Sequence, residues 1–192
     1  MGKLNTLERP YRLSVVMMVK NEAKNLAITL PALKGWIDEL IVLDSGSTDQ
    51  SQQLVEEAGG QWYVNTEWPG FGKQRQLAQS YATGDWILAL DADEEITEEL
   101  KTSILQVIQA KPENTVYGIK RIDCIFGHEI DNQYWAVKAH WRLYPKTFQY
   151  NDNLVHESVL IGGAQKETLK GFMLHHTADT PEFWLSKRLQ YA

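Results

Sequence analysis

Residues 84–97 read GDWILALDADEEIT, and this stretch decides the fold. Asp85–Leu90 is a nearly continuous apolar run that stops at Asp91-Ala92-Asp93-Glu94. Such a run suits a parallel strand buried on both faces. Thr97 then caps an amphipathic helix carrying Leu100, Ile104 and Ile108. Upstream, Leu13–Val19 and Glu39–Leu43 (ELIVL) repeat the buried-strand pattern, and Gln61–Val64 is a shorter strand. Helices are expected between them. One starts at Glu22 behind an Asn21 cap, with Pro31 kinking or shortening it. A second opens at the capping box Ser47-Thr48-Asp49-Gln50 and ends at Gly59-Gly60. A third runs from about Lys73 to Ala82. Successive βα units imply an α/β fold, an open, mainly parallel sheet flanked by helices, with ligands beyond the carboxyl ends of its strands.

Beyond Pro112 the texture changes. Short β segments are expected at Val116–Ile122, His140–Tyr144, Val155–Ile161 and Leu169–Leu174, and a helix from Thr180-Pro181-Glu182. That helix reaches Ala192 without a stop signal, so the sequence reads as cut off there.

At 192 residues, with 43% hydrophobic and 23% charged residues, the chain has the balance of one globular domain. No apolar stretch approaches the roughly 20 residues of a membrane span. The amino terminus lacks the pattern of a secretory signal. The single cysteine, Cys124, fits a reducing, cytoplasmic setting. A net charge of −6 argues against nucleic acid as a partner.

The strand tips carry the chemistry. Alternation would point Asp91 and Asp93 the same way, and two close carboxylates call for a shared proton or a cation, Mg²⁺ or Mn²⁺ by ligand hardness. The alternative is a solvated turn ahead of the Thr97 helix. Asp44, followed by Ser45-Gly46-Ser47, could take a ribose hydroxyl or a base N–H, or this segment could simply cap a helix. Gly70-Phe71-Gly72-Lys73-Gln74-Arg75 reads as a diphosphate cradle of backbone donors and two cations, or as a solvated helix start. No G-x-G-x-x-G follows the first strand, and neither a phosphate-binding G-x-x-x-x-G-K-[ST] loop nor a G-x-S-x-G elbow occurs.

VVMMVKNEAKNL, IVLDSGSTDQS, GKQRQLA and GDWILALDADEEIT, in this order, resemble the nucleotide-sugar-binding half of family 2 glycosyltransferases with the GT-A (Rossmann-like) fold, over residues 13–100. HWRLYP, NLVHESV and LHH in residues 101–192, the acceptor-side half, are similar to the lipopolysaccharide-core β-1,4-glucosyltransferases. The resemblance implies that Asp91 and Asp93 hold a divalent cation together with the donor's diphosphate and ribose. It places Asp44 at the nucleoside, Val19, Asn21 and Glu22 beside the base, and Arg75 with Lys73 at the diphosphate. Gln76 stands where an asparagine is usual.

Inverting members use a carboxylate as general base. This half has no plain Glu-Asp pair, and Glu157 in Val155-His156-Glu157 is the candidate. His156 and His175 compete for a third metal-ligand position, with His175 preferred; His156 is otherwise an acceptor-side residue. Trp135 and Trp141 could stack on an acceptor sugar or pack the core. The expected reaction moves a hexose, glucose from UDP-glucose, onto a heptose of the lipopolysaccharide inner core. A lipid-linked acceptor would bring peripheral contact with the cytoplasmic face of the inner membrane. Two rivals are a haloacid-dehalogenase-like phosphatase, disfavoured by Glu95 where that family wants Thr or Val, and a non-catalytic nucleotide-sugar-binding module.

Overall fold

The computed structural model describes residues 11–110, 114–130 and 138–178. The elements are β1 (Leu13–Val19), α1 (Ala23–Leu33), β2 (Glu39–Asp44), α2 (Ser51–Glu57), β3 (Gln61–Val64), α3 (Phe71–Ser80), β4 (Trp86–Asp91), β5 (Glu94–Ile96), α4 (Glu98–Ala110), β6 (Thr115–Ile125), β7 (His128–Glu129), β8 (Ala139–Pro145) and β9 (Gln165–Ala178). They build one mixed sheet in the order β3-β2-β1-β4-β8-β6-β9-β5, with β7 paired to β6. Strands β3, β2, β1 and β4 are mutually parallel, and β8 joins β4 antiparallel. β5 follows β4 after two residues yet pairs with β9 at the far end of the order. The sheet therefore curls until its last edge meets the tip of β4.

β2 is buried at every position, as its unbroken apolar run requires. One face of the sheet packs on Leu26, Leu30, Val55, Leu100, Ile104 and Ile108 from α1, α2 and α4. The other packs on Ala78, Ala82, Tyr144 and Tyr150, with α3 above it. At the amino ends, the Glu39 carboxylate gathers Ser14 Oγ (2.5 Å), Thr83 N (2.7 Å) and Thr83 Oγ1 (3.0 Å). Among the described residues no helix is long and apolar enough to cross a membrane.

Pro31 lies inside α1, which ends two residues later at Leu33. Other expectations change. α2 begins at Ser51, not behind a Ser47 capping box. Ser47 instead bonds Asp44 and receives the Asn21 N–H (2.8 Å). Nor does Asn21 cap α1; the N–H groups of Glu22 and Ala23 are met by Ser51 Oγ (2.9 Å) and Asp49 Oδ2 (3.0 Å) from the neighbouring unit. Val155–Ile161 is a loop with one bridge, Tyr150 to Val159. His156 has φ +57°, which a strand cannot accommodate. The helix expected from Thr180 lies outside the described residues.

Candidate functional site

The loops after β1 and β2 begin side by side because Val19 pairs with Asp44 in the parallel register. Asn21, at φ +56°, turns its side chain to the next loop, where Oδ1 accepts the Thr48 N–H (2.8 Å). The Asp44 carboxylate, 3% exposed, accepts the N–H groups of Gly46 and Ser47 (both 2.9 Å). Asn21 and Asp44 therefore fix the two loops that follow β1 and β2.

The expected diphosphate cradle on α3 is otherwise employed. The Phe71 and Gly72 N–H groups donate to the carbonyls of Leu154 (3.2 Å) and Asn153 (2.9 Å). A Cβ on Gly72 would collide with the Asn151 carbonyl, and one on Gly70 (φ +99°) with Leu154. Gly-x-Gly thus lets the 151–158 loop dock on the amino end of α3, and those donors are unavailable to phosphate. Lys73 is exposed and lines neither cavity of the site. Farther along α3, Gln76 Nε2 reaches Tyr150 O and Asp152 Oδ1 (both 2.7 Å), and Gln74 Nε2 reaches Ser45 Oγ (3.2 Å). One helix seams the two halves together.

Arg75 is the central stitch. Its Nη2 donates to Asp91 Oδ1 (2.5 Å), its Nε to Glu157 Oε1 (3.0 Å), and its guanidinium lies 5.2 Å from the Tyr150 ring centroid. From β8, Arg142 Nη2 donates to Asp91 Oδ2 (2.6 Å) and Glu94 Oε1 (2.9 Å). Burial alone would raise the Asp91 pKa, but the charges of Arg142 and Arg75 hold it well below the usual carboxylate range. Burial drives Glu94 the other way, upward, with Asp91 adding to it against the pull of Arg142. Both oxygens of Asp91 accept hydrogen bonds from guanidinium groups, one from Arg75 and one from Arg142.

Asp93 differs. The strand ends at Asp91, and Ala92-Asp93 forms a turn into β5. Asp93 Oδ2 lies 3.3 Å from His175 Nε2, and His175 Nδ1 is 2.8 Å from Asp123 Oδ1. Burial opposes protonation of His175, yet its hydrogen bonds to Asp93 and Asp123 raise its pKa on balance. His176 turns to the other face and meets Glu95 Oε2 (2.9 Å). Among the described residues no three His, Cys, Asp or Glu side chains group to cage an ion. Asp93 and His175 nevertheless fit two adjacent positions on an octahedral ion, where bonds of about 2.1 Å place neighbouring ligand atoms about 3 Å apart. Substrate oxygens and water would complete the shell.

Two cavities meet at this ion-pair cluster. A cleft of about 490 Å³ is lined by Val19, Lys20, Glu22, Asp91, Asp93 and His175, with Trp68 and Phe71 at its rim. A second cavity, about 510 Å³, is lined by Lys138, His140, Trp141, Arg142, His156 and Glu157. Of the site residues expected from sequence, Val19, Glu22, Asp91, Asp93 and His175 line the first space and Trp141, His156 and Glu157 the second, whereas Asn21, Asp44, Lys73 and Arg75 line neither; Trp135 lies outside the described residues. Arg142, Glu94 and Asp123 were missed. Arg142 had a readable signal, a charge beside Leu143 in a strand, because a buried cation demands counter-charges.

The sheet, with its cleft at the carboxyl edge of the parallel strands, has the GT-A architecture of its structural neighbours. The fold is similar to the crystal structure of Staphylococcus aureus TarS residues 1–349 in complex with UDP-GlcNAc, at TM-score 0.62 and 15% identity over 90% of this chain and 60% of that one. Residues 14–165 match the model of glycosyl transferase family 2, and the chain belongs to that family. An uncharacterized glycosyltransferase of Rickettsia felis is 32% identical over 174 residues, 87% of this chain and 61% of that protein. The lipopolysaccharide core biosynthesis glycosyltransferase LpsC of Rhizobium meliloti is 24% identical over 85% of this chain and 62% of its own length. The chain spans about six-tenths of these relatives. Family membership removes the phosphatase alternative, as does the double arginine clamp on Asp91, the aspartate that would have to act as nucleophile.

Proposed function

We propose that this chain carries the donor and acceptor sites of an inverting, metal-dependent hexosyltransferase. The observation that carries it is the cluster Glu157–Arg75–Asp91–Arg142, which places a carboxylate of the acceptor-side cavity beside the acidic tip of the donor cleft. The nucleoside of a UDP-sugar would lie over Val19 and Glu22, beside the loops fixed by Asn21 and Asp44, with its diphosphate toward Asp93 and His175. Asp93 and His175 would hold Mg²⁺ or Mn²⁺, which when bound offsets the charge developing on the departing diphosphate. Arg75 and Arg142 keep Asp91 ionised and fixed at the junction.

Glu157 is the general base. Arg75 engages Oε1, and the other carboxylate oxygen takes the proton from the acceptor hydroxyl. That hydroxyl oxygen bonds to the anomeric carbon from the face opposite the nucleotide as the bond from that carbon to the diphosphate oxygen breaks. His156, in the left-handed region, sets the direction of Glu157, and such strain in a non-glycine residue is characteristic of working sites. Trp141 is the acceptor-stacking residue.

The finer reading is glucose from UDP-glucose onto a heptose of the lipopolysaccharide inner core, at the cytoplasmic face of the inner membrane. The relation to LpsC and the HWRLYP, NLVHESV and LHH motifs support it. The test is transfer by the full-length protein from a panel of UDP- and ADP-sugars, with and without chelator. Glu157→Gln should retain UDP binding and lose turnover about 100- to 10,000-fold. Transfer at the wild-type rate by this variant overturns the base assignment, and UDP binding without any turnover in the wild type favours a non-catalytic binding module.

A further inference from the structure

The acceptor-side cavity carries two cations, Arg142 and Lys138, on one wall. Arg142 forms its inner wall, with its side chain only 9% exposed and Nη2 committed to Asp91 and Glu94. Its Nε is buried and has no hydrogen-bond partner among the described residues. Folded proteins rarely leave a buried donor unmet, and at the wall of a cavity an acceptor on a bound ligand can meet it. Lys138 lies on the same wall, exposed, and His140 between them is half-buried. Burial and the charges of Arg121, Arg142 and Lys138 lower the His140 pKa to about 4, against a smaller opposing pull from Asp91. The imidazole is therefore neutral at physiological pH and can donate from one nitrogen. From the facing loop, Glu157 is the carboxylate lining the cavity, and Arg75 neutralises it.

We propose that this cavity is a subsite for an anionic acceptor, a saccharide bearing a phosphate or carboxylate next to the hydroxyl that is glycosylated, held by Lys138, His140 and Arg142. The inference rests on the transferase reading of the site and names its acceptor class. A hydroxyl could meet the Arg142 Nε–H, but only an anion also uses the Lys138 charge. At about 510 Å³ the cavity lies within the roughly 300–1,000 Å³ of small-molecule sites, room for one charged sugar. Arg142 links the two spaces directly, since the guanidinium that faces the acceptor also clamps Asp91 in the donor cleft.

The experiment compares three synthetic acceptors with the full-length protein: a neutral glycoside, its phosphate monoester and the corresponding uronate. Transfer from UDP-glucose and calorimetric binding with UDP present are both measured. The anionic acceptors should be favoured about tenfold or more in kcat/KM and in affinity, the range expected for a hydrogen bond to a charged group. A preference for the phosphate over the uronate identifies the source of the charge. Lys138→Met should erase most of that preference through KM and remove the salt dependence of the anionic acceptors. Equal affinity for neutral and charged acceptors, or an equal loss for all three in Lys138→Met, overturns the anionic subsite while UDP binding and transfer stand. Loss of UDP binding and of all transfer in the wild type overturns both readings.

Discussion

The two polar regions at the carboxyl edge of the sheet are built in opposite ways. Behind β1 and β2, Asn21, Asp44, Ser47, Asp49 and Ser51 lace two loops with side chain-to-backbone bonds between one βα unit and the next. At the tip of β4, Arg75, Arg142, Asp91, Glu94 and Glu157 assemble full charges from positions 16 to 82 residues apart. The first region follows from parallel register, since strands that pair side by side release neighbouring loops. The second requires β8 to run antiparallel beside β4, with Leu143 opposite Leu88, and the 151–158 loop to dock on α3. The lacing divides its energy over many separate bonds to backbone N–H groups. A charge cluster is all or nothing, because removing one member leaves another buried and unpaired.

That contrast sets the order of expected effects. Arg142→Met leaves Asp91 and Glu94 with one cation fewer, and a loss of about 3–5 kcal/mol is expected in urea unfolding. A loss below about 1 kcal/mol would put the cluster on the same footing as the lacing. Glu39→Gln probes the opposite end of the sheet. Burial alone would raise the Glu39 pKa, but bonds from Ser14 and Thr83 lower it below the usual carboxylate range. Its charge-linked stability is thus present above the unfolded-state pKa and lost as pH falls through the lower folded value. The Tm gap between wild type and Glu39→Gln should be open at pH 7 and close in acid below about pH 4; a gap independent of pH would refute this account.

Smaller, and confined to ligand, is Asp123→Asn. It removes the carboxylate that orients His175, and Mn²⁺ affinity measured with UDP present should fall about 10- to 100-fold with Tm nearly unchanged. Unaltered affinity would exclude His175 from ion binding. Smallest is Ser47→Ala, expected to cost about 1 kcal/mol in thermal unfolding because other bonds hold the same loops. A loss as large as that of Arg142→Met would erase the distinction between the regions.

Much of this was legible in the chain. The buried strands, their polar tips and the order of βα units follow from short apolar runs punctuated by Asp44 and Asp91. Glu157, His156 and Trp141 do share a space, and Asp93 and His175 do meet. Two of the misread segments matched a local rule whose groups were claimed by partners outside that rule. Ser47 satisfies the capping pattern, but Asp44 and Asn21 claim it first. Gly70-x-Gly72 matches a phosphate loop, but the carbonyls of Asn153 and Leu154 fill it.

The amino-acid sequence alone determined where the parallel strands run and which side chains stand at their ends, because hydrophobic period and turn chemistry act over a few residues. Only the tertiary structure decided that Asp91 belongs to two arginines while Asp93 is left to His175. Charges find partners through space, and strand order, which local pattern does not encode, determines which charges become neighbours.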